Sequence, residues 1–269
     1  MKRNLKKGIW YASVPGDTIM EKFRAAKAAG FDGVEPPSHL AQEEIPRARD
    51  ATGLAVASVT CGGYSRELSH PDAPRRAAAV ESLRQGLRDA KCYGAASVLV
   101  VAGGVTEQVT YAEAYTRVQQ EVRKVVPLAE ELGVKLAFEN VWNHFLLSPL
   151  EAARFVDEFK SPAVRWQFDV GNAVYQGWPE QWIRILGRRI QALHIKEFSR
   201  KKRDNEGLWK GFAVEFLEGD NDWPSVMKAV DETGYEGWAT VEPAWRPPGV
   251  DPVARLSQIS EKLDRILAS

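Results

Sequence analysis

The 269-residue chain is short of several things, and each shortage removes a class of protein. Two cysteines, Cys61 and Cys92, are too few for a disulfide framework at this length, so both are read as free thiols of a reducing compartment. Neither charge is in excess: 36 Lys and Arg face 36 Asp and Glu, which leaves no basic field for nucleic acid or an anionic membrane surface. No stretch approaches the ~18 consecutive apolar residues of a membrane span, and the basic start MKRNLKK leads into no apolar run of signal-peptide length. The cytoplasm is therefore the expected location, with no nucleic-acid or membrane partner. Histidine is scarce as well: of His39, His70, His144 and His194, only His194 lies in a strand-like run.

What remains is an ordinary globular composition, 44% hydrophobic and 27% charged, with its helix starts plainly written. Thr18 with Glu21, Thr110 with Glu113 and Ser148 with Glu151 read as capping boxes, the last with Pro149 in its first turn. Asp222-Trp-Pro224 and Asp251-Pro252 mark two further starts. Helical apolar spacing follows in Val118, Val122, Val126 and Ala129 and in Leu256, Ile259, Leu263 and Ile266, with glycine stops at Gly30, Gly133 and Gly234. Another helix is expected over Arg75–Tyr93.

Between the helices lie eight short β-like runs: GIWYASV, GVEPP, LAVASV, SVLVVAG, KLAFENV, VRWQFDV, IQALHIKEF and WATVEPAW. Runs that are apolar on both faces suit parallel strands covered by helices. Eight such units without a long linker favour an α/β fold, a single (β/α)8 TIM barrel over residues 1–269, rather than an open doubly wound sheet. The one long irregular stretch, Ser199–Asp222, is read as an active-site loop.

Four consecutive late runs each carry a chelating side chain at or near the strand end: Glu139, Asp169, His194 and Glu242. In a barrel the C-terminal ends of neighbouring strands converge, which brings three carboxylates and an imidazole into one volume. Like charges that close need compensation, and a divalent cation is the simplest form of it. The competing reading is a metal-free buried ion-pair cluster. Oxygen-rich ligation with one histidine suits Mn²⁺, Mg²⁺ or Co²⁺ better than a structural zinc site.

The segments AGFDGVE (29–35), FEN (138–140), FDVGN (168–172), HIKEF (194–198), GDNDW (219–223) and GYEGWATVE (234–242) give the whole chain a resemblance to the xylose isomerase-like barrel superfamily. The similar branch is that of the sugar phosphate isomerases/epimerases, which includes ketose 3-epimerases, inosose dehydratases and hydroxypyruvate isomerases. The resemblance implies one divalent ion, Mn²⁺ first and Mg²⁺, Co²⁺ or Zn²⁺ as alternatives, held by Glu139, Asp169, His194 and Glu242. It further implies that Glu139 and Glu242 double as acid and base, and that Arg200 contacts substrate. Two positions depart from the 3-epimerase pattern: Asn172 stands for a histidine and Phe145 for a glutamate. The abasic-site endonucleases of the same superfamily use three zinc ions and several extra histidines, which this chain does not supply.

The implied activity is a metal-dependent sugar or sugar-phosphate epimerase/isomerase working by proton transfer through an enediolate. A dehydratase or lyase acting from the same carbanion is the alternative, and a non-catalytic sugar-binding protein a more remote one. Lys196 and Arg200, at the start of the basic segment KEFSRKKRDNEGLWK, are candidates for a substrate phosphate or carboxylate. Trp10 and Trp142, with Tyr11 and Trp245, could stack on a sugar face, and Asn140, Asn143 and Asn172 could meet hydroxyls. Glu35 is expected to hydrogen-bond a side chain of a neighbouring strand, and Cys61 to pack in the core or line the pocket. A sugar substrate is the expected partner, and a homo-oligomer stays open.

Overall fold

The computed structural model describes residues 3–175, 177–244 and 249–269. Nine parallel strands form one sheet: β1 Leu5–Trp10, β2 Gly33–Glu35, β3 Ala55–Val56, β4 Val59–Thr60, β5 Ser97–Val100, β6 Lys135–Glu139, β7 Val164–Asp169, β8 Ile190–Ile195 and β9 Gly237–Val241. Their order is β3-β2-β1-β9-β8-β7-β6-β5-β4, and β3 and β4 are two pieces of the one expected run LAVASV. The sheet therefore closes on itself as an eight-stave barrel.

The break in that stave has a local cause. Pro36 and Pro37 follow β2 and cannot donate to a ladder, so pairing lapses beyond Glu35. It resumes when Thr60 N–H donates to Pro36 O and Ser38 N–H donates to Thr60 O, each at 2.9 Å.

Helices cover the outside, and their boundaries follow the sequence signals closely. Thr18 and Thr110 form complete capping boxes with Glu21 and Glu113. Ser148 makes only half of one: its side chain accepts from Glu151 N–H, while the Glu151 carboxylate takes Tyr111 O–H at 2.6 Å. The helix expected over Arg75–Tyr93 runs Ala73–Tyr93. The expected continuous helix through Val118 and Ala129 is instead two, Tyr111–Arg123 and Val126–Leu132. Pro127 is the reason, since its ring clashes with the carbonyl of Arg123 and it lacks the N–H to continue the ladder.

The segment after β8, expected to be irregular, is largely ordered as a helix, Arg200–Glu206, and a 3-10 turn, Leu208–Phe212. A Ser199 cap on Lys202 N–H starts that helix.

Phe138, Phe155, Phe159 and Trp166 pack edge to face and tilted between sheet and helices. Truncating such a buried ring to alanine costs about 3–5 kcal/mol. Inside the barrel the residues are unusually polar: Glu35, Ser58, Gln167, Asp169, His194 and Thr240 are all buried. Gly8 is required there, because a Cβ at that position would lie 2.4 Å from Thr240 Oγ1. No helix among the described residues is long and apolar enough to cross a membrane.

Candidate active site

Glu139 and Asp169 end β6 and β7, His194 lies one residue before the end of β8, and Glu242 follows β9 directly. One ligand atom from each of the four can be chosen so that all lie within 4.8 Å of one another. The apolar runs around them explain the placement: each strand is anchored on its helix-facing side by residues such as Phe138, Phe168, Leu193 and Val241, which leaves the polar side chain facing the barrel mouth.

His194 organises the group. Its Nε2 donates to Glu35 Oε2 at 2.7 Å, and its Nδ1 faces Glu139 Oε1 at 2.7 Å, Glu242 Oε2 at 3.7 Å and Asp169 Oδ2 at 3.9 Å. Glu35 also accepts from Gln167 Nε2 at 2.9 Å and from Ser58 Oγ. The acceptor of the histidine's second nitrogen is thus fixed from two other staves, which keeps a proton on Nε2 and aims Nδ1 at the carboxylates.

Lys196 lies in the cluster itself, with Nζ 3.0 Å from Glu242 Oε2, 3.8 Å from Asp169 Oδ2 and over the Phe212 ring.

The titration directions follow from burial and mutual charge. Burial pushes the Asp169 carboxyl up to about 7, against the opposing pull of Lys196 and His194. Burial disfavours the charged forms of His194 and Lys196, but the surrounding carboxylates outweigh it and raise both above their ordinary values. For Glu35 burial is likewise outweighed, by the His194 charge and three hydrogen bonds, and its carboxyl is held below the usual range.

The donor set fits a divalent ion. Asp169 Oδ2 is buried without a hydrogen-bond partner, while Oδ1 caps the following turn by accepting from Asn172 N–H at 2.7 Å. Counting Glu35, Glu139, Asp169 and Glu242 as −4 and protonated His194 and Lys196 as +2 leaves −2. A divalent cation that replaced the proton between Nδ1 and Glu139 would bring the group from −2 to −1.

The other sequence candidates fall into two groups. Trp10 ends β1 in register with Glu35, at the mouth. Asn140 and Asn172 brace the cluster: Asn140 Nδ2 donates to Asp169 O at 2.8 Å, and Asn172 Nδ2 donates to Asn140 O at 2.9 Å. Trp142 donates to Asn172 O at 3.1 Å and packs against Tyr175, Trp209 and Phe212, closing one wall.

Arg200 is turned away, with Nε on Val174 O at 3.0 Å and one terminal nitrogen on Gly177 O at 2.7 Å. Phe145, at the departing position, is buried against Tyr111 and Phe155 and belongs to the core. Cys61 is buried, its thiol pushed up to about 11, which fits a packing role. Trp245 lies outside the described residues.

The sequence reading missed Gln167 and Ser58. Gln167 carried a signal, as a lone amide inside the apolar run VRWQFDV; Ser58 carried none. It also missed a cavity of about 570 Å³ on the other side of the mouth, which Asn143 helps to line.

Comparison with known proteins agrees with this architecture. The model of the xylose isomerase-like TIM barrel family matches residues 23–266. L-ribulose-5-phosphate 3-epimerase UlaE of Escherichia coli is 23% identical over 274 residues, covering 96% of this chain and 93% of that protein. Inosose dehydratase of Clostridium perfringens is 27% identical over 153 residues, so the chain spans about half (51%) of that enzyme's length. Among solved structures, 3-keto-D-glucoside 4-epimerase YcjR from E. coli superposes with a TM-score of 0.83 at 20% identity, over 98% of this chain and 100% of that one. D-psicose 3-epimerase, crystallised in the presence of D-fructose, gives 0.80 at 18% identity, over 98% and 100% of the two chains.

Proposed function

Since the chain belongs to the xylose isomerase-like TIM barrel family, we propose that it is a divalent-metal-dependent sugar epimerase or isomerase in which one of Glu139 and Glu242 removes a proton from the substrate carbon and the other returns one. The named activities of its relatives, UlaE, YcjR and D-psicose 3-epimerase, support an epimerase acting on a keto-sugar.

The observation that carries the reading is the placement of the two glutamates. In the order β9-β8-β7-β6 they come from the two outer staves, with Asp169 and His194 between them. A planar enediolate needs a base on one face and an acid on the other, and flanking carboxylates supply that pair. Glu139, Asp169, His194 and Glu242 would hold the ion, which when bound supplies electrophilic pull on the substrate's carbonyl and adjacent hydroxyl oxygens.

The chain's own residues do the rest. Glu35 holds the proton on His194 Nε2, keeping Nδ1 free to face the carboxylates. Lys196 holds Glu242 in place through its 3.0 Å contact. Trp142 and Phe212 exclude water from the Lys196 side.

A second reading, β-elimination from the same carbanion, is favoured by the Lys196 ammonium among the carboxylates, since a departing oxygen needs a proton donor. The Mn²⁺-loaded protein incubated with a ketose panel in D₂O distinguishes the two by NMR. Deuterium at the epimerised carbon supports epimerisation, an unsaturated product supports elimination, and absence of both removes the catalytic reading.

A further inference from the structure

The large cavity takes no part in the chemistry above, yet it is built to hold something. At about 570 Å³ it falls within the ~300–1,000 Å³ that encloses drug-sized ligands. Loops after β4, β5 and β6 wall it, and its lining on the β6 side begins at Val141, two residues past Glu139. That separation is roughly 7 Å of extended chain at ~3.3 Å per residue. None of Glu139, Asp169, His194 and Glu242 lines the cavity, so a substrate whose reacting carbons lie between Glu139 and Glu242 would reach it past Val141.

The walls are preorganised by hydrogen bonds between loops. Ser69 Oγ accepts from Gly104 N–H at 2.8 Å and donates to Gly104 O at 2.9 Å, while Asn143 Nδ2 donates to Gly103 O at 2.6 Å. Gly103 has φ +64°, and a Cβ there would lie 2.6 Å from Ser69 Oγ, so the loop cannot close this tightly with another residue.

The chemistry of the lining favours one class of occupant. Pro71, Val105, Val109, Val141 and Trp142 supply apolar walls, and exposed Thr106, Gln108 and His144 supply hydrogen-bonding groups. An apolar wall with scattered polar groups matches the C–H faces and hydroxyl edges of a sugar ring.

A phosphate would find little there. The two helices that begin beside the cavity already have carboxylates at their N-termini, Asp72 before Ala73–Tyr93 and Glu113 in the first turn of Tyr111–Arg123. Arg200, Lys202 and Arg203 donate to the backbone carbonyls of Val174 and Gly177, of Ala213, and of Tyr175 respectively, and Lys196 pairs with Glu242. Arg66, exposed on the lining, has no ion-pair partner among the described residues and is a single guanidinium.

We propose that this cavity is a subsite for an uncharged glycosyl substituent, so that the substrate is a keto-sugar carrying a second sugar ring rather than a phosphate. The inference rests on the epimerase reading and narrows its substrate class.

Three ligands differing only at one carbon test it: D-fructose, D-fructose 6-phosphate and isomaltulose, the 6-O-glucosyl ketose. Their dissociation constants for the Mn²⁺-loaded protein are measured by calorimetry, with deuterium exchange followed in parallel. The expected result is isomaltulose bound at least ~10-fold more tightly than fructose, about 1.4 kcal/mol, with the 6-phosphate no tighter than fructose. Gln108→Trp, which adds bulk at an exposed lining position, should bring the isomaltulose-to-fructose ratio toward one, and Arg66→Ala should leave that ratio in place. Equal affinity for fructose and isomaltulose overturns the subsite. So does tightest binding of the 6-phosphate that Arg66→Ala removes, which would make the cavity a phosphate site. No deuterium exchange in any of the three with metal bound is a different failure: it removes the epimerase reading, and the subsite with it.

Discussion

The two halves of the barrel mouth are built on opposite plans. On the β6 to β9 side, Glu139, Asp169, His194, Lys196 and Glu242 crowd together, most of them buried, and each is within 4 Å of an opposite charge. On the β4 to β6 side the loops supply glycine, valine, proline and the Arg66 guanidinium, which has no ion-pair partner among the described residues, around open space. Burying charge costs desolvation and needs fixed partners, which this half supplies, and on the proposed function it does the chemistry. Shape with a few hydrogen-bonding groups tolerates a variable occupant, so on the proposal above the other half would recognise.

The contrast is broken most severely by removing a ligand. His194→Ala deletes the group that faces three carboxylates and satisfies Glu35, and it should abolish high-affinity metal binding and with it turnover. Metal titration of the stripped variant checks this, and wild-type affinity would show that His194 does not hold the ion. A smaller loss is expected one layer out. Glu35→Gln keeps the shape but weakens the acceptor for Nε2–H, and partners of this kind are typically worth 10–100-fold in metal affinity. An unchanged dissociation constant would mean that Glu35 only fills the barrel.

A third effect concerns stability and pH. Glu197 is buried behind the cluster, with Oε2 accepting from Leu217 N–H at 2.8 Å and Trp223 Nε1 at 2.9 Å and with Oε1 unpartnered. Burial pushes its carboxyl up from 4.5 to about 7. The folded value is raised, so the stability it contributes is fully present below about pH 4.5 and is lost as pH rises through about 7. At about 1.4 kcal/mol per unit the whole effect is on the order of 3 kcal/mol. Glu197→Gln should thus gain stability relative to the parent between pH 5 and pH 8, read as a widening difference in thermal midpoint. Arg66→Ala, on the other half, should show a constant difference. A Glu197→Gln difference that does not vary with pH would contradict the assignment.

The chemical half was legible in the sequence because a charged residue inside an apolar strand is anomalous by itself. Glu139, Asp169, His194 and Glu242 stand out in LAFENV, WQFDV, ALHIKEF and TVEPAW by residue type alone. The eight staves and most helix starts were legible for a similar reason, since caps and breakers act locally. What escaped depended on long-range partners. Lys196, read as a contact for a substrate phosphate or carboxylate, lies against Glu242, and Arg200, read as a substrate contact, holds the loop after β7 through two carbonyls. Ser148 met half of its capping motif because Tyr111, distant in sequence, took the other half. The cavity was invisible because side-chain-to-backbone hydrogen bonds between three loops define it, and no residue type announces such a wall.

The central claim is that Glu242 both helps to hold a divalent ion and moves the proton. Glu242→Gln, loaded with Mn²⁺ and assayed for deuterium incorporation into its ketose substrate, tests it most directly when metal content is measured on the same sample. Retained metal with exchange lowered by about 10²–10⁴-fold is the predicted result. Exchange at the parental rate with metal still bound would contradict it.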